Sequence, residues 1–197
     1  MAIDPKQKRL LIREFELNGF VVLRGFLPLD LVEGMHEQPT PLLKTKYQNA
    51  VADGWGEGQW KRGWTNVETC WRGSQYMGWH SDQAPQHMEN PDHYNETIRV
   101  TFNIPLLDFT ARNGAMEVLP ATHRTPRNCG AVDDLTNIYP HQLRLDRGDP
   151  VLRDGNMFHR GTPNLDSAPR PMLDQTYLGY RGNVSLDRPD SRRHRHL

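Results

Sequence analysis

Apolar positions recur first with a helical period and then, over most of the remaining length, with the two-residue period of strands. Between Asp4 and Leu17, Leu10, Leu11, Phe15 and Leu17 are interleaved with Lys and Arg, which predicts an amphipathic helix stopping before Asn18-Gly19. GFVVLRGF at 19–26 is β-branched and aromatic and predicts a strand; Pro28 followed by LDLVEGM predicts a proline-started helix to about Met35. Residues 36–63 are weakly patterned loop with the turn Trp55-Gly56-Glu57-Gly58 and room for one short helix. WTNVETCW at 64–71 alternates as a half-buried strand, and the stretch before His80 predicts another.

The clearest strand is TIRVTFNI at 97–104. Ile98, Val100, Phe102 and Ile104 share one face, and Thr97, Arg99, Thr101 and Asn103 the other. That polar face either meets solvent or lines a cavity, and periodicity does not choose between them. Asn113-Gly114 followed by AMEVLP predicts a hairpin over 97–120. HQLRLDRGDPVLRDGNMFHRGTP at 141–163 alternates around Gly148-Asp149-Pro150 and Asp154-Gly155-Asn156 turns, and MLDQTYLGYRG at 172–182 predicts a last strand. Many short strands with helices only near the N-terminus predict a mainly β jelly roll or sandwich.

Composition narrows this picture. A chain of 197 residues suits one core, so residues 1–197 are expected to form a single domain with a basic, solvated tail at 188–197. Gly 16 and Pro 15 signal many turns. Lys+Arg 24 balance Asp+Glu 24, so no net field favours nucleic acid or an anionic membrane. Without an apolar run of about 20 residues or a signal-peptide core, a soluble, cytoplasmic protein is expected. Cys70 and Cys129 are far apart and read as free buried thiols.

Candidate chemistry centres on GWHSDQAP at 78–85. In an extended segment His80 and Asp82 project to the same side and can reach one ion while Ser81 points away. A metal that activates a small molecule needs a few strong ligands and open positions, which two imidazoles and a carboxylate supply. The pair alone leaves a metal site and a polar turn both open. Downstream, His159 is delivered by a strand into a Gly-containing turn, and Arg170 precedes the last strand, where a buried arginine needs an anionic partner such as a dicarboxylate.

Four blocks, in order, then carry a resemblance: FELNGFVVLRGFLPLDLVEGM, WHSDQ, ARNGAMEVLPATHR and GDPVLRDGNMFHRGTPNLDSAPRPMLDQTY. From about Phe15 to Tyr180 the chain resembles the phytanoyl-CoA dioxygenase family of iron(II)- and 2-oxoglutarate-dependent oxygenases. Ala121 stands where glycine is common in that family, and the region after Arg170 is short. The resemblance implies a double-stranded β-helix, a cupin-like jelly roll with N-terminal flanking helices, whose interior receives the polar face of 97–104. It implies Fe(II) held by His80, Asp82 and His159, 2-oxoglutarate bound by Arg170 with Asn103 and Thr101, and O2 as co-reactant. His123 matches a position of structural role.

The activity so implied is hydroxylation of a C–H bond of a small organic substrate with release of succinate and CO2. The carboxylate at position 82 argues against halogenation, because halogenating relatives have a small residue there. Residues 83–96, with His87 and His93, are the expected lid, and Tyr76, Trp79 and Trp71 are either core or pocket wall. Two rivals stay open: a cupin-like metalloenzyme with the same ligands and no 2-oxoglutarate chemistry, and a non-catalytic module holding structural zinc or no metal.

Overall fold

The first helix is delimited by its caps. Asp4 Oδ2 accepts from the N–H groups of Lys6 and Gln7 at 3.1 Å each, and Pro5 opens α1 (Pro5–Asn18). Gly19 closes it in the left-handed region (φ 79°), returning its N–H to Phe15 O at 2.8 Å. The apolar stripe is only half used: Leu11 and Phe15 are partly covered, while Leu10 and Leu17 are exposed. His123 sits against Gly19 with its Nε2 3.2 Å from Glu16 O, which gives it the structural role expected for it.

The computed structural model describes residues 3–37, 61–62, 67–82, 99–124, 137–180 and 183–185. The Trp55–Gly58 turn, the lid at 83–96 with His87 and His93, Thr97, Ile98, Cys129 and the basic tail lie outside the described residues. After α1 come β1 (Phe20–Val22), α2 (Leu29–Glu37), β2 (Lys61–Arg62), β3 (Val67–Cys70), β4 (Arg99–Pro105) and β5 (Glu117–Val118). A 3₁₀ turn at Thr122–Arg124 leads to β6 (His141–Gln142), β7 (Val151–Asp154), β8 (His159–Arg160), β9 (Arg170–Tyr180) and β10 (Asn183–Ser185). One sheet runs β1-β7-β4-β9-β3-β2 with β10 on β9, and the other runs β6-β5-β8. The protein is mainly β, an antiparallel jelly roll of the double-stranded β-helix type, with its two described α-helices near the N-terminus. No helix among the described residues is long and apolar enough to cross a membrane.

The register of β4 decides where its polar face points. Thr101 lies opposite Arg153 on β7 and Thr176 on β9, and Asn103 opposite Val151 and Asp174. On the other face, Phe102 and Ile104 join Leu173 and pack under α2 with Val32, Met35, Leu27 and Leu106. Val151 and Met172 pack with Met116, Val118, Leu143 and Leu145 from the region of the second sheet. Thr101 and Asn103, only 3% and 1% exposed, therefore face the space between the sheets rather than solvent.

Two expectations are corrected. Residues 97–120 do not form a hairpin, because both edges of β4 are already taken by β7 and β9 and β5 pairs with β6 and β8 instead. Asn113 closes a local loop, its Oδ1 accepting from Thr110 N at 2.8 Å and its Nδ2 donating to Asp108 O at 2.7 Å. The stretch before His80 is not a strand but a loop pinned by single bridges, Arg72 to Asn164 and His80 to His159. The last strand also starts earlier than predicted, at Arg170.

Gly114 seals the crossing between sheets at φ 85°, and a Cβ there would lie 2.8 Å from both Cys70 Sγ and Thr162 O. Gly114→Ala combines a left-handed backbone with a clash against main chain. It is expected to cost about 2–4 kcal/mol by urea unfolding.

Candidate metal centre

His80 and His159 are joined through their backbones before their side chains meet. His80 N donates to His159 O at 3.1 Å and His159 N to His80 O at 2.9 Å, so the 80 loop extends the smaller sheet beside β8. Asp82 N donates to Gly155 O at 3.0 Å, and Arg99 Nη1 holds Asp82 O at 2.7 Å. The H-x-D segment is thus clamped to the turn that precedes His159. The ligand atoms of His80, Asp82 and His159 all lie within 4.8 Å of one another. Small rotations bring such donors to about 2 Å from a shared first-row ion.

The hydrogen bonds suit the imidazoles to that role. His80 Nδ1 lies 2.9 Å from Gly78 O and His159 Nδ1 3.1 Å from Met157 O. Donation of Nδ1–H to these carbonyls leaves each Nε2 with its lone pair free, the arrangement that metal-binding histidines use. Burial pushes the His159 imidazole well below its usual pKa, and the Arg153 charge acts in the same direction, so the ring is neutral at neutral pH. Burial alone would raise the Asp82 carboxyl. The charge of Arg153, with its hydrogen bond to the carboxylate, outweighs it and holds Asp82 well below the usual carboxylate range. His159 thus offers a neutral nitrogen and Asp82 an ionised oxygen, and with the His80 imidazole this donor set fits Fe(II).

Arg153 was missed in the sequence and sits at the middle of the site. Its Nη2 donates to Asp82 Oδ2 at 2.7 Å and its Nε donates to Asn103 Oδ1 at 3.4 Å. Asn103 Nδ2 continues the chain to Asp174 Oδ1. Burial, then Glu68, pushes the Asp174 carboxyl up to about 8, which favours its protonated form at neutral pH. Thr101, beside Arg153 in the register, presents a buried Oγ1 with no hydrogen-bond partner among the described residues. The alternation of Val151 and Arg153 shows only that the arginine shares a face with a valine, and nothing near it in sequence points to Asp82 or Asn103 as partners.

Arg170 opens β9 and faces the same interior as Asp174 and Thr176. The turn before it is held by Asn164, whose Nδ2 donates to Cys70 O and Ala168 O at 2.9 Å each. The guanidinium is 2% exposed, stacks 4.2 Å from the Phe109 ring centre, and has no hydrogen-bond partner for Nε or Nη1 among the described residues. Burial lowers its pKa, with Cys70, Glu68 and Asp174 opposing that effect. A buried cation with unspent donors is fitted for an incoming carboxylate.

On the face of the smaller sheet opposite His80 and His159, Arg160 lies 4.4 Å from the Tyr76 ring centre and 4.3 Å from that of Trp79 while pairing with Glu117 at 2.7 Å. Tyr76, 56% exposed, belongs to this outer face and not to the core.

With this geometry in place the chain can be compared with known proteins. A family model for Phytanoyl-CoA dioxygenase (PhyH) matches residues 41–172. The chain belongs to the phytanoyl-CoA dioxygenase family. The matched span holds all six residues predicted for the site, Arg153 as well, whereas the first of the four resembling blocks precedes it. Membership makes the protein an oxidoreductase of the Fe(II)- and 2-oxoglutarate-dependent oxygenase kind, with Fe(II), 2-oxoglutarate and O2 as cofactors.

Solved structures agree on the fold. The chain is similar to SnoK, a non-heme alpha ketoglutarate dependent carbocyclase from nogalamycin biosynthesis, at TM-score 0.66 and 12% identity over 90% of this chain and 84% of that one. It is similar to EctD from S. alaskensis with bound Fe at TM-score 0.64 and 16% identity, covering 95% and 82%. SnoN, a non-heme alpha ketoglutarate dependent epimerase from the same biosynthesis, gives TM-score 0.58 at 14% identity, covering 91% and 88%.

Proposed function

We propose that this family member hydroxylates a C–H bond of a small organic molecule, with His80, Asp82 and His159 holding Fe(II) and Arg170 binding the far carboxylate of 2-oxoglutarate. The observation that carries the reading is the convergence of two imidazoles and one carboxylate within 4.8 Å, in a chain of this family. Bound there, the iron and 2-oxoglutarate supply an oxidant for C–H bonds while 2-oxoglutarate and O2 become succinate, CO2 and the inserted oxygen atom.

The chain's own residues organise that chemistry. His80 and His159 offer Nε2 because their Nδ1–H groups are bound to carbonyls, and Asp82 offers an ionised oxygen at neutral pH. Arg170, buried and unsaturated in hydrogen bonds, fixes the dicarboxylate by charge and by a planar pair of donors. Thr101 offers the same ligand a hydroxyl that has no hydrogen-bond partner among the described residues, and Asn103 lines that interior through its bond to Arg153. The whole chain, 1–197, is read as the single domain that carries these residues.

Purified protein loaded anaerobically with Fe(II), then given O2, 2-oxoglutarate and a panel of small organic acids, amines and thioesters, is expected to form succinate in equal amount with oxidised product. Protein that neither binds nor consumes 2-oxoglutarate under any of these conditions sinks the proposal and favours a metalloprotein without this cosubstrate.

A further inference from the structure

Resting on that reading, we propose that Arg153 is a positioning residue that keeps Asp82 a one-oxygen ligand and so preserves an open coordination position at the metal. The two Asp82 oxygens have different surroundings. Oδ2 accepts from Arg153 Nη2 at 2.7 Å, while Oδ1 faces the metal side, 3.6 Å from His159 Nε2. The Asp82 and Arg153 side chains are only 13% and 4% exposed, so water competes poorly for either partner of this charge-assisted bond.

The guanidinium cannot easily turn away. Its Nε donates to Asn103 Oδ1 at 3.4 Å, and Asn103 is itself tied to Asp174 on β9. Its backbone is in β7, paired on one side to β1 and on the other to β4. Three strands therefore fix the direction from which Oδ2 is held.

Counting positions shows why this matters. An octahedral ion bound by His80, His159 and a single Asp82 oxygen keeps three positions, two for a chelating 2-oxo acid and one for O2. A carboxylate swung to bind through both oxygens leaves two, and the cosubstrate then competes with the protein's own ligand. Carboxylates chelate readily when neither oxygen is otherwise engaged. Arg153 engages one of them.

The test compares wild type, Arg153→Met and Arg153→Lys under anaerobic conditions, with Fe(II) binding followed by calorimetry. Cosubstrate binding is followed through the visible charge-transfer band that a chelated 2-oxo acid gives with Fe(II). Wild type and Arg153→Lys, which keeps a cationic donor toward Oδ2, are expected to bind Fe(II) and show the band. Arg153→Met is expected to retain Fe(II) to within about tenfold but to need at least about tenfold more 2-oxoglutarate to reach the band, a change of the size seen when outer partners of a metal ligand are removed. Wild-type affinity for both in Arg153→Met overturns the proposal and leaves the functional reading intact. Loss of Fe(II) binding in Arg153→Met also overturns it, since the arginine is then needed to form the site at all. Wild-type protein that binds Fe(II) but shows no band overturns the 2-oxoglutarate reading and the proposal with it.

Discussion

Asp82→Ala is expected to abolish Fe(II)-dependent 2-oxoglutarate turnover, with a fall of at least about a thousandfold. Asp82 is the one anionic donor among the three converging side chains, and its removal leaves two neutral imidazoles to hold a dication. The substitution also strands Arg153, a cation 3% exposed, without its carboxylate. A buried charge left unpaired costs about 3–5 kcal/mol. Two readouts therefore move together: metal affinity by calorimetry and stability of the metal-free protein by urea unfolding.

Asp82→Asn separates the two effects, because the amide oxygen still accepts from Arg153 while the negative charge is gone. It is expected to lose turnover like Asp82→Ala but less stability. The sign of the pH dependence follows from the depressed carboxyl. A folded-state pKa below the unfolded value contributes stability above about pH 4, which is lost as pH falls toward the folded value. Metal-free wild type should accordingly lose its advantage over Asp82→Asn on acidification. An advantage unchanged down to about pH 2 contradicts the Asp82–Arg153 pairing.

Arg170→Ala is expected to remove the stabilisation that 2-oxoglutarate adds to metal-loaded protein and to raise the KM for 2-oxoglutarate by about a hundredfold or more. A ligand present at a hundred times its Kd adds about 2.7 kcal/mol, and this increment should vanish from the melting curve. The metal-free protein should be affected less, because Nε and Nη1 of Arg170 make no hydrogen bond among the described residues and their loss strands no partner. What disappears there is packing against Phe109. Metal binding without cosubstrate should survive, since no described hydrogen bond or ion pair joins Arg170 to His80, Asp82 or His159. Equal stabilisation of wild type and variant by Fe(II) plus 2-oxoglutarate contradicts the assignment of Arg170.

Much of the site was legible because its chemistry is written in local spacing. His80 and Asp82 stand two apart, which in extended chain is one side, and the structure brings their donors together with His159. Arg170 was singled out by its place just before the last predicted strand, and the structure buries it at the start of β9. Arg153 was not, because nothing near it in sequence shows that its partners are Asp82, 71 residues before it, and Asn103, 50 before it. The hairpin expected at 97–120 failed for the same kind of reason. Asn113-Gly114 is a turn signal, but a turn becomes a hairpin only if the preceding strand has an edge to offer, and β7 and β9, both later in the chain, occupy the edges of β4.

The sequence by itself determined the caps and limits of α1, the alternation of β4 and the family to which the chain belongs. Each of these depends on neighbours a few residues apart, or on motifs whose order survives in the linear text. Only the tertiary structure decided that Thr101 and Asn103 look inward, because alternation sorts residues into two faces without saying which is covered. α2 covers one face with Val32 and Met35, and the second sheet closes over the other. The polar strip is thereby buried beside His80, Asp82 and His159, where Arg153 can reach Asp82 and Asn103 at once.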